Sequence, residues 1–222
     1  METKNGIFIV LEGGEGSGKT TIAKKLVQEF NNEDIKAIYT REPGGDQISE
    51  KIRDIAINSD NIDPYTQLLL FVAARKRNID LNINPALARN DIVICDRYTL
   101  STLVYQGIVQ GIPKQKILDL LIATECDLVK PDIEIILNVD PKIGLDRVMS
   151  NDREVSSIDK KGLEFHSKVN KAYLHNSYIN KYGYRCVINA NKNLSDVFDN
   201  VDYIIRHIIK IDERFKNIPG GK

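Results

Sequence analysis

The sequence predicts an α/β domain built on a parallel five-stranded sheet with helices on both faces. Three observations carry that expectation. Apolar runs and helical patterns alternate along the chain, the runs Ile7 to Leu11 and Ile133 to Val139 are nearly continuous in apolar character, and a glycine-rich turn joins the first run to the first helix. Alternation of this kind produces parallel strands joined through helices, and a strand covered on both faces has no polar side to display. The 222 residues suffice for one such domain with its own core, and neither a repeat nor a linker divides them, so one domain over residues 1–222 is expected.

The elements follow in order. After Ile7 to Leu11 and the glycine turn, Ile22, Ala23, Leu26, Val27 and Phe30 recur at helical spacing, and Asn31-Asn32 stops the helix. Ile35 to Thr40 supplies a second strand before Arg41-Glu42-Pro43-Gly44-Gly45 breaks the pattern. Asp46 to Ile57 is helical through Ile48, Ile52, Ile55 and Ala56, and Pro64 opens a longer helix whose apolar face includes Leu68, Phe71 and Val72. The third strand, Ile92 to Cys95, ends on Asp96-Arg97; helical stretches near Ser101 to Gln106 and Lys114 to Thr124 lead to the fourth, Ile133 to Val139. Pro141 starts a helix that reaches Val148, and Ser150 to Lys161 is polar and aperiodic. A helix from about Leu163 to Tyr182, a strand Cys186 to Ile188 and a helix from about Asp196 to Ile211 complete the domain; the Pro-Gly-Gly-Lys tail is expected to be disordered.

Composition narrows the function classes. Lys+Arg and Asp+Glu are both 31, so the net charge is zero, which argues against a dedicated nucleic-acid or membrane-surface binder with clustered cations. Met1 to Asn5 is too polar for a signal peptide, and no run approaches the roughly 18 apolar residues of a membrane span. Cys95, Cys126 and Cys186 are odd in number and widely spaced, which reads as filler in a reducing, cytoplasmic setting. His166, His175 and His207 share no metal-ligand spacing, and Asp159 to Lys161 reads as a solvated charge run.

The chemistry is concentrated in Gly13-Gly14-Glu15-Gly16-Ser17-Gly18-Lys19-Thr20, which fits Gly-x-x-x-x-Gly-Lys-Thr at every fixed position. Glycines let the chain curl so that backbone N–H groups point at a polyphosphate, and the following helix adds its positive end. Lys19 then reaches the β/γ-phosphates and the Thr20 hydroxyl can ligand Mg²⁺. A glycine turn alone can be only a turn; strand, loop and helix in the required order favour the phosphate site. Ligands of such sheets gather beyond the carboxyl ends of the strands. That rule brings Arg41 to Gly45, Asp96 to Gln106 and the region after Val139 toward the loop. Arg97 could fork onto phosphate oxygens and Asp96 could orient Mg²⁺ through water, although an isolated Asp-Arg pair is equally a surface ion pair.

Five segments then resemble the thymidylate kinase family: Glu12-Gly13 with the loop; Thr40 to Gly45; Phe71-Val72-Ala73-Ala74-Arg75; Asp96-Arg97-Tyr98 with Ser101 and Tyr105-Gln106-Gly107; and Phe165-His166 with Tyr173. They run in the family's order and spacing from about Ile7 to Ala190. The resemblance implies a P-loop NTPase-type fold with a short lid at about 150–161, Mg²⁺-dependent transfer of the ATP γ-phosphate to dTMP in dTTP synthesis, and a homodimer. It places Lys19, Thr20 and Arg97 at the phosphate and metal centre, with Asp96 beside them. Glu15 would meet the 3′-hydroxyl of dTMP, and Arg41 and Pro43 would surround the acceptor phosphate. Phe71 would stack on thymine, Arg75 would donate to its O4, Thr102 and Gln106 would border the base, and Tyr105 and Tyr173 would close around the sugar. Arg147 and the Asn189-Ala190 turn would hold adenine. Without the resemblance, Phe71, Tyr105 and Tyr173 read as packing residues.

The sequence departs from the family in its lid. Members without a basic residue inside the loop, as here with Gly16 and Ser17, usually carry lid arginines; Ser156-Ser157-Ile158-Asp159 stands at that place, and Arg153 is the one nearby arginine, with Lys160 and Lys161 behind it. Arg153 is therefore the expected catalytic lid cation. Asn170-Lys171-Ala172 and Val104 also depart from the usual pattern. The alternatives are a kinase of another pyrimidine nucleoside monophosphate, such as dUMP or a modified nucleotide, and a nucleotide-switch protein. Against the switch, Asn191-Lys192-Asn193-Leu194 lacks the acid that a guanine site needs.

Overall fold

The computed structural model describes residues 6–59, 61–150, 156–175 and 183–216. Five parallel strands form one sheet: β1 (Ile7–Gly13), β2 (Ala37–Arg41), β3 (Ile92–Asp96), β4 (Ile133–Asn138) and β5 (Tyr184–Asn189), in the order β2-β3-β1-β4-β5. β1 lies between β3 and β4, with Leu11 opposite Asp96 on one side and Gly13 opposite Leu137 on the other. The glycine loop therefore leaves from the middle of the sheet, flanked by the ends of two strands that carry chemistry.

Alternation along β1 explains both cores. Ile7, Ile9 and Leu11 face helices α1 (Lys19–Asn32) and α9 (Leu194–Ile211), meeting Ile22, Leu26, Val201 and Ile205. Phe8 and Val10 face the opposite layer, where α3 (Pro64–Asn78) and α6 (Lys114–Ala123) contribute Leu68, Val72, Ile117 and Leu121. A third cluster joins Leu100, Val104 and Ile136 to Val169 and Tyr173 of α8 (Leu163–His175). Helix starts follow capping chemistry: Asp46 caps α2 (Gln47–Asn58), Asp63 precedes Pro64, and Asp140 caps α7 (Pro141–Met149).

Several expectations shift. Of the residues that set the helical period of α2, Ile48 and Ile55 are about half exposed, and the buried positions of that helix are Ser49 and Ala56. Between α3 and β3 the chain forms a π-helical turn, Ile79–Ile83, and a short α4 (Asn84–Ala88) for which no element was expected. The stretch after β3 is one turn, α5 (Thr99–Thr102), continued as a π-helix, Leu103–Val109. Asp159 is 1 % exposed and accepts from Ser156 N and Oγ, so the solvated reading fails for it, because a carboxylate that caps its own turn need not face water. Residues 176–182 and the C-terminal tail lie outside the described residues, as does Arg153.

Candidate active site

The loop after β1 is held open from behind. Gly16 has φ 70°, and a Cβ there would lie 2.0 Å from Gly144 O; a Cβ on Gly144 would lie 2.4 Å from Glu15 O. The loop and α7 thus approach so closely that only glycine fits on either side. Lys19 is buried at the start of α1, its Nζ donating to Gly13 O (3.0 Å), Gly14 O (2.7 Å) and Ser17 Oγ (3.1 Å). Burial, and then the Arg97 charge, lower its pKa to about 8.

At the next position Thr20 donates its hydroxyl to Asp96 Oδ2, while Asp96 Oδ1 is buried with no partner. A hydroxyl and a carboxylate beside a phosphate loop form a hard oxygen donor set. Mg²⁺ is typically held by one or two such groups, the remaining positions being water and phosphate oxygens. These residues therefore fit that ion, and the described residues hold no larger ligand cluster.

Arg97 follows Asp96 with φ 70°, a left-handed conformation that an arginine adopts only where its surroundings impose it. Its guanidinium is fixed by Gly13 O (3.1 Å), Tyr173 Oη (3.0 Å), Ser101 Oγ (3.3 Å) and the Glu15 carboxylate. Beneath it, fully buried Glu12 accepts from Tyr98 N, Ser101 N, Ser101 Oγ and Tyr173 Oη, which pins the turn after β3 to the end of β1.

A cavity of about 550 Å³ opens beside this network. All the acceptor-site residues expected from sequence line it, except Arg41 and Tyr173. Arg75 forms a buried ion pair with Glu42 at 2.5 Å, donates to Thr102 Oγ1 at 3.0 Å, and keeps Nη1 buried without a partner. Phe71 faces the cavity instead of the core. Tyr105 Oη donates to Glu15 at 3.2 Å. Tyr173 stands behind the wall, orienting Arg97.

Arg41 is not brought into the cavity. Its side chain forks onto Glu50, at 3.0 and 2.5 Å. Arg53 of α2 lines the cavity in its stead and donates to Pro43 O at 3.2 Å. Burial and the like charges of Arg41 and Arg97 depress the Arg53 guanidinium. Sequence reading passed over Arg53; the available signal was a cation between Ile52 and Ala56 in an otherwise apolar period. On the far side of the loop Arg147 donates to Gly16 O, Ala190 O, Asn191 O and Lys192 O, tying α7 to the turn after β5. From the expected lid, Ile158 and Lys161 line the cavity and Ser157 Oγ donates to Ile57 O at 2.6 Å, so this segment touches the end of α2.

A family model described as thymidylate kinase matches residues 11–201, which include every segment lining the cavity. The chain belongs to the thymidylate kinase family. Among curated relatives, a thymidylate kinase of Clostridium novyi (strain NT) is 41% identical over 200 residues, covering 88% of this chain and 96% of that protein. One of Ligilactobacillus salivarius (strain UCC118) is 38% identical over 209 residues, covering 92% and 99%. One of Mycoplasmoides gallisepticum is 37% identical over 215 residues, covering 95% and 99%. Among the described residues no helix is long and apolar enough to cross a membrane.

Proposed function

We propose that this chain transfers the γ-phosphoryl group of ATP to dTMP, releasing ADP and dTDP, as a step in dTTP synthesis in the cytoplasm. The observation that carries the reading is one continuous cavity: Phe71, Arg75, Thr102 and Gln106 offer a ring face and polar groups for a base, while Arg53 and Arg97 stand with them beside the loop that holds Lys19. A pocket with an aromatic wall, a few fixed polar groups and a cationic corner suits a nucleoside monophosphate.

No general base is required. The acceptor phosphate is largely dianionic at neutral pH, its second pKa being about 6. The task is to align two anions and to stabilise the charge that spreads over the transferred group. Lys19 would release its loop carbonyls to meet the donor's β/γ-phosphates. Arg97, held by Gly13 O, Ser101 and Tyr173, would exchange Glu15 for phosphate oxygens, and Glu15 would turn to the 3′-hydroxyl. Arg53, with Pro43 beside it, takes the acceptor-phosphate role that sequence reading gave to Arg41. Thr20 and Asp96 would hold Mg²⁺, which when bound neutralises charge shared between the phosphates. Arg147 would present its guanidinium to adenine beside the Asn189-Ala190 turn, and Arg153 would supply the lid cation. One methyl group separates dTMP from dUMP and typically discriminates by about 1–3 kcal/mol; no observation favours dUMP.

The test is ADP release from ATP with a panel of nucleoside monophosphates. dTMP should give the highest kcat/KM, and turnover of none of them would end the reading. Lys19 adds a pH signature. Its charged form predominates below about pH 8 in the free protein, and a bound triphosphate favours that form. Above pH 8, ATP binding must therefore take up a proton, so the Kd for ATP should rise by up to about tenfold per pH unit while staying flat below pH 7. Titration calorimetry at pH 7 to 9.5 checks this, and a flat Kd throughout would contradict it.

Ile48 and Ile55 of α2 and Leu69 of the adjacent α3 are about half exposed, an apolar surface that a second copy would cover as a homodimer. A sedimentation mass of a single chain would refute the dimer.

A further inference from the structure

We infer that Gln67 is a positioning residue that fixes which end of the Gln106 amide faces the acceptor base, and so helps select a base whose ring N3 carries a proton. The inference rests on the dTMP reading above and concerns the same cavity, which Gln67, Gln106 and Gln110 all line.

The argument is one of hydrogen-bond polarity. Gln67 Nε2 donates to Ala56 O at 2.7 Å. Ala56 lies among the last four residues of α2, whose carbonyls lack partners within the helix. A carbonyl can only accept, so the amide nitrogen of Gln67 must point there and its oxygen must point the other way. That oxygen accepts from Gln106 Nε2 at 3.2 Å and from Gln110 Nε2 at 2.7 Å. The direction thus passes from a backbone carbonyl, which cannot reverse, through Gln67 to Gln106. Gln106 is 3 % exposed, and its Oε1 makes no hydrogen bond among the described residues. Reversing the Gln106 amide would set its oxygen against the Gln67 oxygen, two acceptors with no proton between them.

The consequence is a two-letter readout. Gln106 offers an acceptor, and Arg75 Nη1, buried and unpartnered, offers a donor. Thymine and uracil present the complement, an N3 proton and a C4 carbonyl. Cytosine presents the reverse, a bare N3 and a 4-amino group. Arg75 reads position 4; Gln106 reads N3 only because Gln67 holds its amide in one sense.

Gln67 also caps α2, and that role alone would explain its bond to Ala56. Two variants separate the roles. Gln67→Glu keeps the acceptor toward Gln106 and loses the donor toward Ala56; Gln67→Lys keeps a donor and loses the acceptor. The experiment measures steady-state kinetics of the full-length protein with dTMP, dCMP and ATP, together with the thermal midpoint of each variant. Gln67→Lys should raise KM for dTMP about three- to tenfold, the worth of one ordinary hydrogen bond, and narrow the preference for dTMP over dCMP. Its kcat and its KM for ATP should stay near wild type. Gln67→Glu should restore the wild-type KM and preference despite a lower midpoint. If dTMP affinity instead follows the donor, kept in Gln67→Lys and lost in Gln67→Glu, or if both variants keep wild-type selectivity, the positioning role is overturned. Absence of dTMP turnover by the wild-type protein would overturn the activity itself, a result distinct from either pattern.

Discussion

Lys19→Ala should lower kcat by about 10²–10³-fold, the loss measured when a single preorganised charge-stabilising donor is removed from an enzyme site. The Nζ stands at the head of α1, held by Gly13 O, Gly14 O and Ser17 Oγ, where the helix terminus adds its own positive end. The fold should survive, because burial already disfavours this cation and its Nζ donates only to loop carbonyls and a hydroxyl, not to a carboxylate. Circular dichroism and the thermal midpoint would stay near wild type while turnover collapses. Near-normal turnover in a folded Lys19→Ala protein would remove the loop from the chemistry.

Arg75→Ala should have two separable effects. Arg75 and Glu42 form an ion pair with both side chains 3 % exposed. Removing one partner of such a pair leaves a buried charge uncompensated and costs about 3–5 kcal/mol, which for a domain of this size lowers the midpoint by roughly 6–20 °C at about 2–4 °C per kcal/mol. Burial pushes the Glu42 carboxyl up, so without its partner the group can take a proton and soften the loss at lower pH. The second effect falls on the acceptor: dTMP use should weaken by about 1–3 kcal/mol as the base loses a charged partner, with ATP affinity nearly unchanged. The double variant Arg75→Met with Glu42→Gln distinguishes them. It should regain stability, because no buried charge remains, without regaining dTMP affinity. Recovery of both would make Arg75 structural only.

How much of this was legible follows from what each pattern encodes. Ile133 to Val139 read as a strand covered on both faces because its run is nearly continuous in apolar character, and it lies inside the sheet next to β1, its one buried acid, Glu134, being paired with Arg185. The loop was legible because its glycines answer to backbone geometry, as the Gly16 and Gly144 approach shows. Helix faces were less legible. α2 has a clean apolar period, yet Ile48 and Ile55 point outward and Arg53 points in, because the helix borders a polar cavity instead of the core. Periodicity reports an apolar stripe without saying what covers it. Phe71 shows the converse: its stripe position is that of a core residue, and only the cavity wall distinguishes it. Arg41 and Tyr173 could not be placed from sequence, since whether a charged or phenolic side chain meets a ligand or another residue depends on competitors far along the chain, Glu50 for the first and Glu12 with Arg97 for the second. The Gln67 relay was invisible, because three glutamines at separate positions carry no signal until α2, α3 and the π-helix Leu103–Val109 bring them together.

The central claim is tested most directly by following the phosphoryl group itself. ATP labelled in the γ-phosphate is incubated with dTMP, Mg²⁺ and the purified protein, and the products are separated. The account predicts label in dTDP, equal in amount to the ADP formed and dependent on dTMP. Label appearing only as inorganic phosphate, or ADP formed at the same rate without dTMP, would contradict it.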